Sequence, residues 1–178
     1  STGAEAFLLE PQRTNLLQYS ELFSDASWAK TSGGSGSAPI VTPNNVISPD
    51  GTQNSSKIVF DSGGGTTASD QSNIGATLSI LSGTEYSFSV YLKGSIGGEE
   101  IVFRGTDGSY NKATLTSEWK RYSFSSISTS TSWNAIFGIR QGLGGIGTIN
   151  SNATVYAYGA QAEQGSYATS YIPTNGEA

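Results

Sequence analysis

The chain has no cysteine, no histidine and no methionine among its 178 residues. Without cysteine there are no disulfides, no thiolate metal sites and no thiol nucleophile. Without histidine the commonest general base and the commonest transition-metal ligand are both missing, so serine triads of the usual kind and zinc centres are ruled out as working readings. Charge is also scarce, at 13% of residues, with 9 basic against 14 acidic side chains and a net charge of −5. Nucleic acid and anionic membranes both call for clustered Lys and Arg, and here the basic residues are scattered. No apolar run approaches the length of a membrane span. Ser1–Glu10 has neither the basic start nor the apolar stretch of a signal peptide.

What remains is rich in Gly, Ser, Thr and aromatic residues, laid out in short alternating runs between turn signals. Thr84–Gly94 (TEYSFSVYLKG) is the clearest: Tyr86, Phe88, Val90 and Leu92 share one face, and Ser87, Ser89, Tyr91 and Lys93 the other. Ser56–Asp61, Asp70–Leu81, Glu99–Arg104, Tyr110–Thr116, Trp119–Ser126, Trp133–Gln141 and Ala153–Gln161 read as further strands. Within them Phe137 and Ile139 point inward, Tyr122 and Phe124 share a face, and Tyr156 and Tyr158 read as core. Arg13–Tyr19 and Ile40–Ile47 add two weaker strands. Ser20–Lys30 fits one helical turn capped by Ser24 or Asp25. Ser32–Ala38, Ser62–Thr67 and Gly142–Gly147 are glycine-rich loops. Eight to ten strands without a long helix predict an all-β fold, two packed antiparallel sheets in a β-sandwich of jelly-roll type. Residues 1–11, with Phe7-Leu8-Leu9, read as a leader from an upstream region, and residues 12–175 as a single module.

Several segments together resemble a known module. They are Arg13–Glu21 (RTNLLQYSE) with Phe23 and Trp28, Ser48–Thr52 (SPDGT), Ser89–Lys93 (SVYLK), Trp119–Ser123 (WKRYS), Gly159–Glu163 (GAQAE) and Tyr167–Thr174 (YATSYIPT). The order and spacing are similar to those of modules that recur in bacteriophage tail, fibre and structural proteins and in secreted multi-modular bacterial proteins. Those modules are similar to carbohydrate-binding modules with a galactose-binding-like jelly roll. Two positions depart from the pattern, Ala162 where a larger apolar residue is expected and Tyr158 where Trp or a similar ring is expected. The resemblance implies a non-catalytic module of a larger extracellular or virion-associated protein, with a polysaccharide or cell-surface glycan as partner. It also implies a structural Ca²⁺ where the first and last strands meet, with Glu21 and Glu163 as the acidic residues there.

For glycan binding, Tyr91, Lys93, Arg104 and Arg140 converge on one face if their strands are neighbours in one sheet, a basic, aromatic-lined groove suited to an acidic polysaccharide. Trp133, at a loop–strand junction, is either a stacking platform or a cap on the sandwich. Tyr110, beside the Asp107-Gly108 turn, is a further candidate, while Trp28 and Trp119 read as structural. The alternative functions are a structural or assembly domain of a phage tail or fibre, and a polysaccharide lyase using Tyr91 with Arg104 or Arg140. Catalysis by paired carboxylates finds no support, because Glu99 and Glu100 are adjacent and point to opposite faces of a strand.

Overall fold

Period-two alternation becomes strand structure throughout the computed structural model, which describes residues 10–177. The leader's Phe7, Leu8 and Leu9 lie outside the described residues. Among the described residues ten strands form: β1 (Ala29–Gly33), β2 (Ser37–Thr42), β3 (Ser56–Asp61), β4 (Gln71–Ser79), β5 (Glu85–Gly94), β6 (Glu100–Arg104), β7 (Tyr110–Thr114), β8 (Lys120–Ile127), β9 (Ser132–Arg140) and β10 (Asn152–Gln164). They build two antiparallel five-stranded sheets, a front sheet in the order β1-β4-β9-β6-β7 and a back sheet in the order β2-β3-β10-β5-β8. The expected all-β sandwich is thus the fold. Among the described residues no helix is long and apolar enough to cross a membrane.

The inward faces interdigitate around Phe137. Its ring lies 6.0–6.3 Å from those of Phe23, Trp28, Phe60, Phe88 and Phe103. Ile58, Ile74, Val90, Leu92 and Val155 complete the buried layer. Trp28 is held in place as its Nε1 donates to the Tyr19 carbonyl at 2.8 Å.

Four local expectations need correction. Ser20–Trp28 is a run of turns, in which Asp25 Oδ1 accepts from the Ser27 amide at 2.8 Å and takes up the donor that would have started a helix. Lys30–Gly33, placed between a helical turn and a loop, is instead part of edge strand β1, paired along β4 from Ala29↔Gly75 to Gly33↔Gln71. The Arg13–Tyr19 segment is extended but is not a full strand. It touches β10 through Leu16 N to Ala162 O (2.7 Å), while Ala160 N donates to Ser20 O at 2.8 Å.

The last correction concerns β10. A bulge between Tyr158 and Gln161 shifts its register against β5, and Gly159 sits there at φ 59°. Before the bulge Val155 and Ala157 face the core, and after it Ala160 and Ala162 do. Tyr156 and Tyr158 therefore lie on the outer side of the back sheet, not in the core between the sheets.

Two of the three glycine loops are pinned on one carboxylate. Asp70 Oδ1 accepts from Ser35 N (2.8 Å) and Ser35 Oγ (2.7 Å), and Oδ2 from Thr67 N (2.9 Å) and Thr67 Oγ1 (2.7 Å). These bonds, led by the Ser35 amide and the Thr67 hydroxyl, hold its pKa well below the usual carboxylate range. A Cβ at Gly34 or Gly65 would stand 2.4 or 2.2 Å from this carboxyl group, so the loops are glycine-rich because they wrap a side chain.

Candidate functional site on the front sheet

After β10 the chain folds back over the outer face of the back sheet. Glu163, buried on that face, accepts from Thr169 N (2.6 Å), Thr169 Oγ1 (2.8 Å) and Gln161 Nε2 (2.9 Å). Gln161 Oε1 accepts from Ile172 N at 2.7 Å, and Arg121 Nη1 donates to Thr169 O at 2.6 Å. The Tyr171 ring packs 5.5 Å from Tyr158 and 6.4 Å from Tyr91, and its hydroxyl donates to Glu21 Oε1 at 2.8 Å. The back sheet's outer face is therefore largely closed by the protein's own tail.

Burial, then the negative charge of Glu21, raises the Tyr158 phenol above its ordinary range. Burial, with the hydrogen bond and charge of Glu21, does the same for Tyr171. A raised folded-state pKa contributes stability that is complete below the ordinary phenol pKa of about 10 and is lost as pH rises through the folded value. Spectrophotometric titration of the 9 tyrosines is expected to leave these two unionised until alkaline unfolding. Smooth ionisation of all the phenols in the folded protein would show that the tail does not stay closed.

Among the described residues the front sheet has no comparable cover, since the tail's hydrogen bonds run to the back sheet and the N-terminal segment. Its outward positions are set by parity. Trp133, Ala135, Phe137 and Ile139 of β9 point in, leaving Asn134, Ile136, Gly138 and Arg140 outside. On β4 the outward residues are Gln71, Asn73, Gly75 and Thr77, in register with Arg140, Gly138, Ile136 and Asn134 respectively. Glu100, Val102 and Arg104 of β6 pair with Thr114, Lys112 and Tyr110 of β7.

Tyr110 and Arg140 meet on this face. The Arg140 guanidinium carbon lies 5.2 Å from the Tyr110 ring centre, Nη1 donates to the phenol oxygen, and Nε donates to Ala68 O at 2.8 Å. Ring and guanidinium are thus oriented before any ligand arrives. Asn73 Nδ2 donates to Gln71 Oε1 at 2.9 Å, which leaves Asn73 Oδ1 buried with no partner among the described residues. Lys112 pairs with Glu100 at 2.6 Å. Beside this group, where Gly75 carries no side chain, a shallow depression of about 120 Å³ is lined by Thr31, Gly75, Thr77, Asn134 and Ile136. The face offers a ring edge, amides and guanidinium donors over an apolar floor, the mixture that recognises hydroxylated ligands.

The expected basic groove does not form. Arg104 and Arg140 do share the front sheet's outer face, but Tyr91 and Lys93 belong to the back sheet, because the chain changes sheet between β5 and β6. Tyr91 lies there under Arg121, 5.5 Å from its guanidinium carbon, and Lys93 is opposite Tyr156. Trp133 is not a surface platform: it is 3% exposed, packs on Tyr86 and Phe88, and donates from Nε1 to Arg104 O at 3.0 Å. Gln71, Asn73, Asn134 and Lys112 were not expected at the site. The alternation of Gln71, Asn73 and Thr77 with Ile74, Ala76 and Leu78 was the available signal.

Glu21 and Glu163 do not form a shared centre. Glu21 binds Tyr171 and Asn54, Glu163 binds Thr169 and Gln161, and no partner is common to both. Ca²⁺ takes about six to eight oxygen ligands. With both Glu163 oxygens already accepting protein hydrogen bonds, these residues do not fit the ion. No group of three or more Asp, Glu, His or Cys gathers as a metal cluster among the described residues.

Sandwich, topology and closed back face together define a jelly-roll β-sandwich with one sheet face left open by the described residues. The chain is similar to several solved structures. A family 61 carbohydrate-binding module, solved with β-1,4-galactotriose, aligns over 85% of this chain and 99% of its own, at 12% identity and a TM-score of 0.50. A xylan-binding domain from Paenibacillus barcinonensis aligns over 90% of this chain and 100% of its own, at 15% identity and a TM-score of 0.47. The enzymatically active domain of a bacteriophage tailspike protein aligns over 84% of this chain but 21% of its own, at 10% identity and a TM-score of 0.44. No protein-family profile and no curated protein sequence matches the chain.

Proposed function

We propose that the chain is a non-catalytic carbohydrate-binding module of an extracellular or virion-associated protein, holding a polysaccharide along the outer face of the front sheet. The observation that carries this reading is the Tyr110–Arg140 pair, preorganised on the one sheet face that the tail leaves open. With Lys112 paired to Glu100, Arg104 and Arg140 are the cations left over on that face, and they favour a polysaccharide bearing carboxylates or sulfates. The fold is one that carries glycan sites elsewhere, as in the galactotriose-bound module.

Affinity electrophoresis over neutral and acidic polysaccharides tests the reading. Tyr110→Ala is expected to weaken binding by roughly thirtyfold, as loss of a central aromatic contact of about 2 kcal/mol would. Arg140→Ala should weaken binding most for acidic polymers and flatten the salt dependence. Failure of the folded protein to bind any glycan would remove this reading in favour of an assembly domain.

A further inference from the structure

A cleft of about 580 Å³ opens where the N-terminal segment passes the end of β10, a strand of the back sheet. Gln12, Arg13, Thr14, Leu16, Gln164 and Gly165 line it, and Arg13 is the one charged residue among them. Both walls are fixed by backbone bonds. Leu16 N donates to Ala162 O at 2.7 Å, and Gly165 N donates to Glu85 O at 2.8 Å.

Arg13 is half-buried there without a counter-charge. Its guanidinium carbon lies 5.3 Å from the centre of the Tyr167 ring, which orients the group. Gly165, at φ 138°, makes room for Nη1, since a Cβ at that position would overlap it. Among the described residues Arg13 has no ion pair, and Nη1 is enclosed with no hydrogen-bond partner. The acidic residues closest to it along the chain and the sheet are engaged elsewhere. Glu10 accepts from Ser170 N at 2.9 Å, Glu163 from Thr169 and Gln161, and Glu85 from Ser125 Oγ at 3.3 Å. A guanidinium held away from water without an acceptor is costly, and an oxyanion that enters the cleft offsets the cost.

We propose that this cleft is a second glycan site, specific for a sugar that carries a carboxylate. The carboxylate pairs with the Arg13 guanidinium, Gln12, Thr14 and Gln164 exchange hydrogen bonds with the sugar hydroxyls, and Leu16 meets the apolar side of the ring. Two amides and a hydroxyl beside the cation favour a uronate over an acidic peptide, whose carboxylates bring no hydroxyls to pair with them. The proposal does not rest on glycan binding at the front sheet.

The test is calorimetric and NMR titration of the whole chain with a galacturonate trimer and with its methyl ester, which keeps the hydroxyls and removes the charge. Amide shifts should fall on Thr14, Gln164 and Gly165. Read from these amides, the acid is expected to bind about tenfold more tightly than the ester, the gain of one charge-assisted contact, and to lose that margin in high salt. Arg13→Gln should abolish the preference. Arg13→Lys, which keeps the charge but not the flat fork, should retain only part of it. Tyr110→Ala should leave the shifts at these three amides unaltered, whatever it does at the front sheet. Equal binding of acid and ester, a glutamate tripeptide that binds as tightly as the acid trimer, shifts confined to the front sheet, or a folded Arg13→Gln protein that keeps the preference would each overturn the assignment. The ester comparison and the shifts use the unaltered chain, so they decide the proposal even where an Arg13 variant fails to fold.

Discussion

Replacing Trp133 with alanine is expected to lower the free energy of unfolding by about 3–5 kcal/mol, the range for loss of a buried large aromatic. The indole lies edge-on to Phe88 with ring centres 6.2 Å apart and 6.4 Å from Tyr86, and it fills the end of the core between β5 and β9. Alanine would leave a cavity there and strip the Arg104 carbonyl of its indole donor. Trp133→Phe keeps most of the apolar volume and should cost far less. The measurement is denaturant unfolding at constant m-value, with glycan affinity determined on the folded fraction. Stability should fall while affinity holds. The reverse pattern, a stable Trp133→Ala protein that no longer binds, would put the indole at the surface and remove the core assignment.

Trp133 also shows what was legible in the sequence and what was not. The alternation that turns Phe137 and Ile139 inward extends back through Ala135 to Trp133, so its direction was readable from parity. Its place at a loop–strand junction left both readings open, although β9 already begins at Ser132. Parity likewise placed Tyr86, Phe88, Val90 and Leu92 in the core correctly. It could not say which sheet each strand joins, because nothing in the Ser95–Glu99 link marks a crossing, and Tyr91 and Lys93 were separated from Arg104 and Arg140 by that crossing alone. Alternation separated Tyr156 and Tyr158 from Val155 and Ala157 but could not say which face is the core; the small residues pack inward, and the bulge at Gly159 keeps Ala160 and Ala162 inward as well. The Ser32–Ala38 loop carried no sign of its anchor because Asp70 lies 35 residues from Ser35.

Asn15→Ala is the second large expected effect, and it accounts physically for why the opening and closing motifs go together. Asn15 is fully buried and uses both ends of its amide. Nδ2 donates to Ala160 O at 3.0 Å and to Ile172 O at 2.9 Å. Oδ1 accepts from Ala162 N at 3.0 Å and from Leu17 N at 3.2 Å. One side chain thus ties the N-terminal segment, the bulged end of β10 and the returning tail. Alanine would leave four backbone groups without these bonds in a buried site, and each such group costs about 1–3 kcal/mol when nothing replaces its partner. Because the tail can loosen and admit water, the expected total is about 3 kcal/mol rather than the full sum. Asn15→Asp tests the donor half alone: the shape is kept, but an ionised carboxylate would face two carbonyl oxygens, so the variant should be nearly as unstable at neutral pH and recover as pH falls and the carboxyl group takes up a proton. Hydrogen exchange localises the damage. Amides of Leu17, Ala162, Ile172 and Thr174 should lose protection while those of β4 and β9 keep it, since the front sheet makes no bond to Asn15. A variant as stable as the parent, with its tail amides still protected, would mean that the packing of Tyr171 on Tyr91 and Tyr158 closes the module without the asparagine.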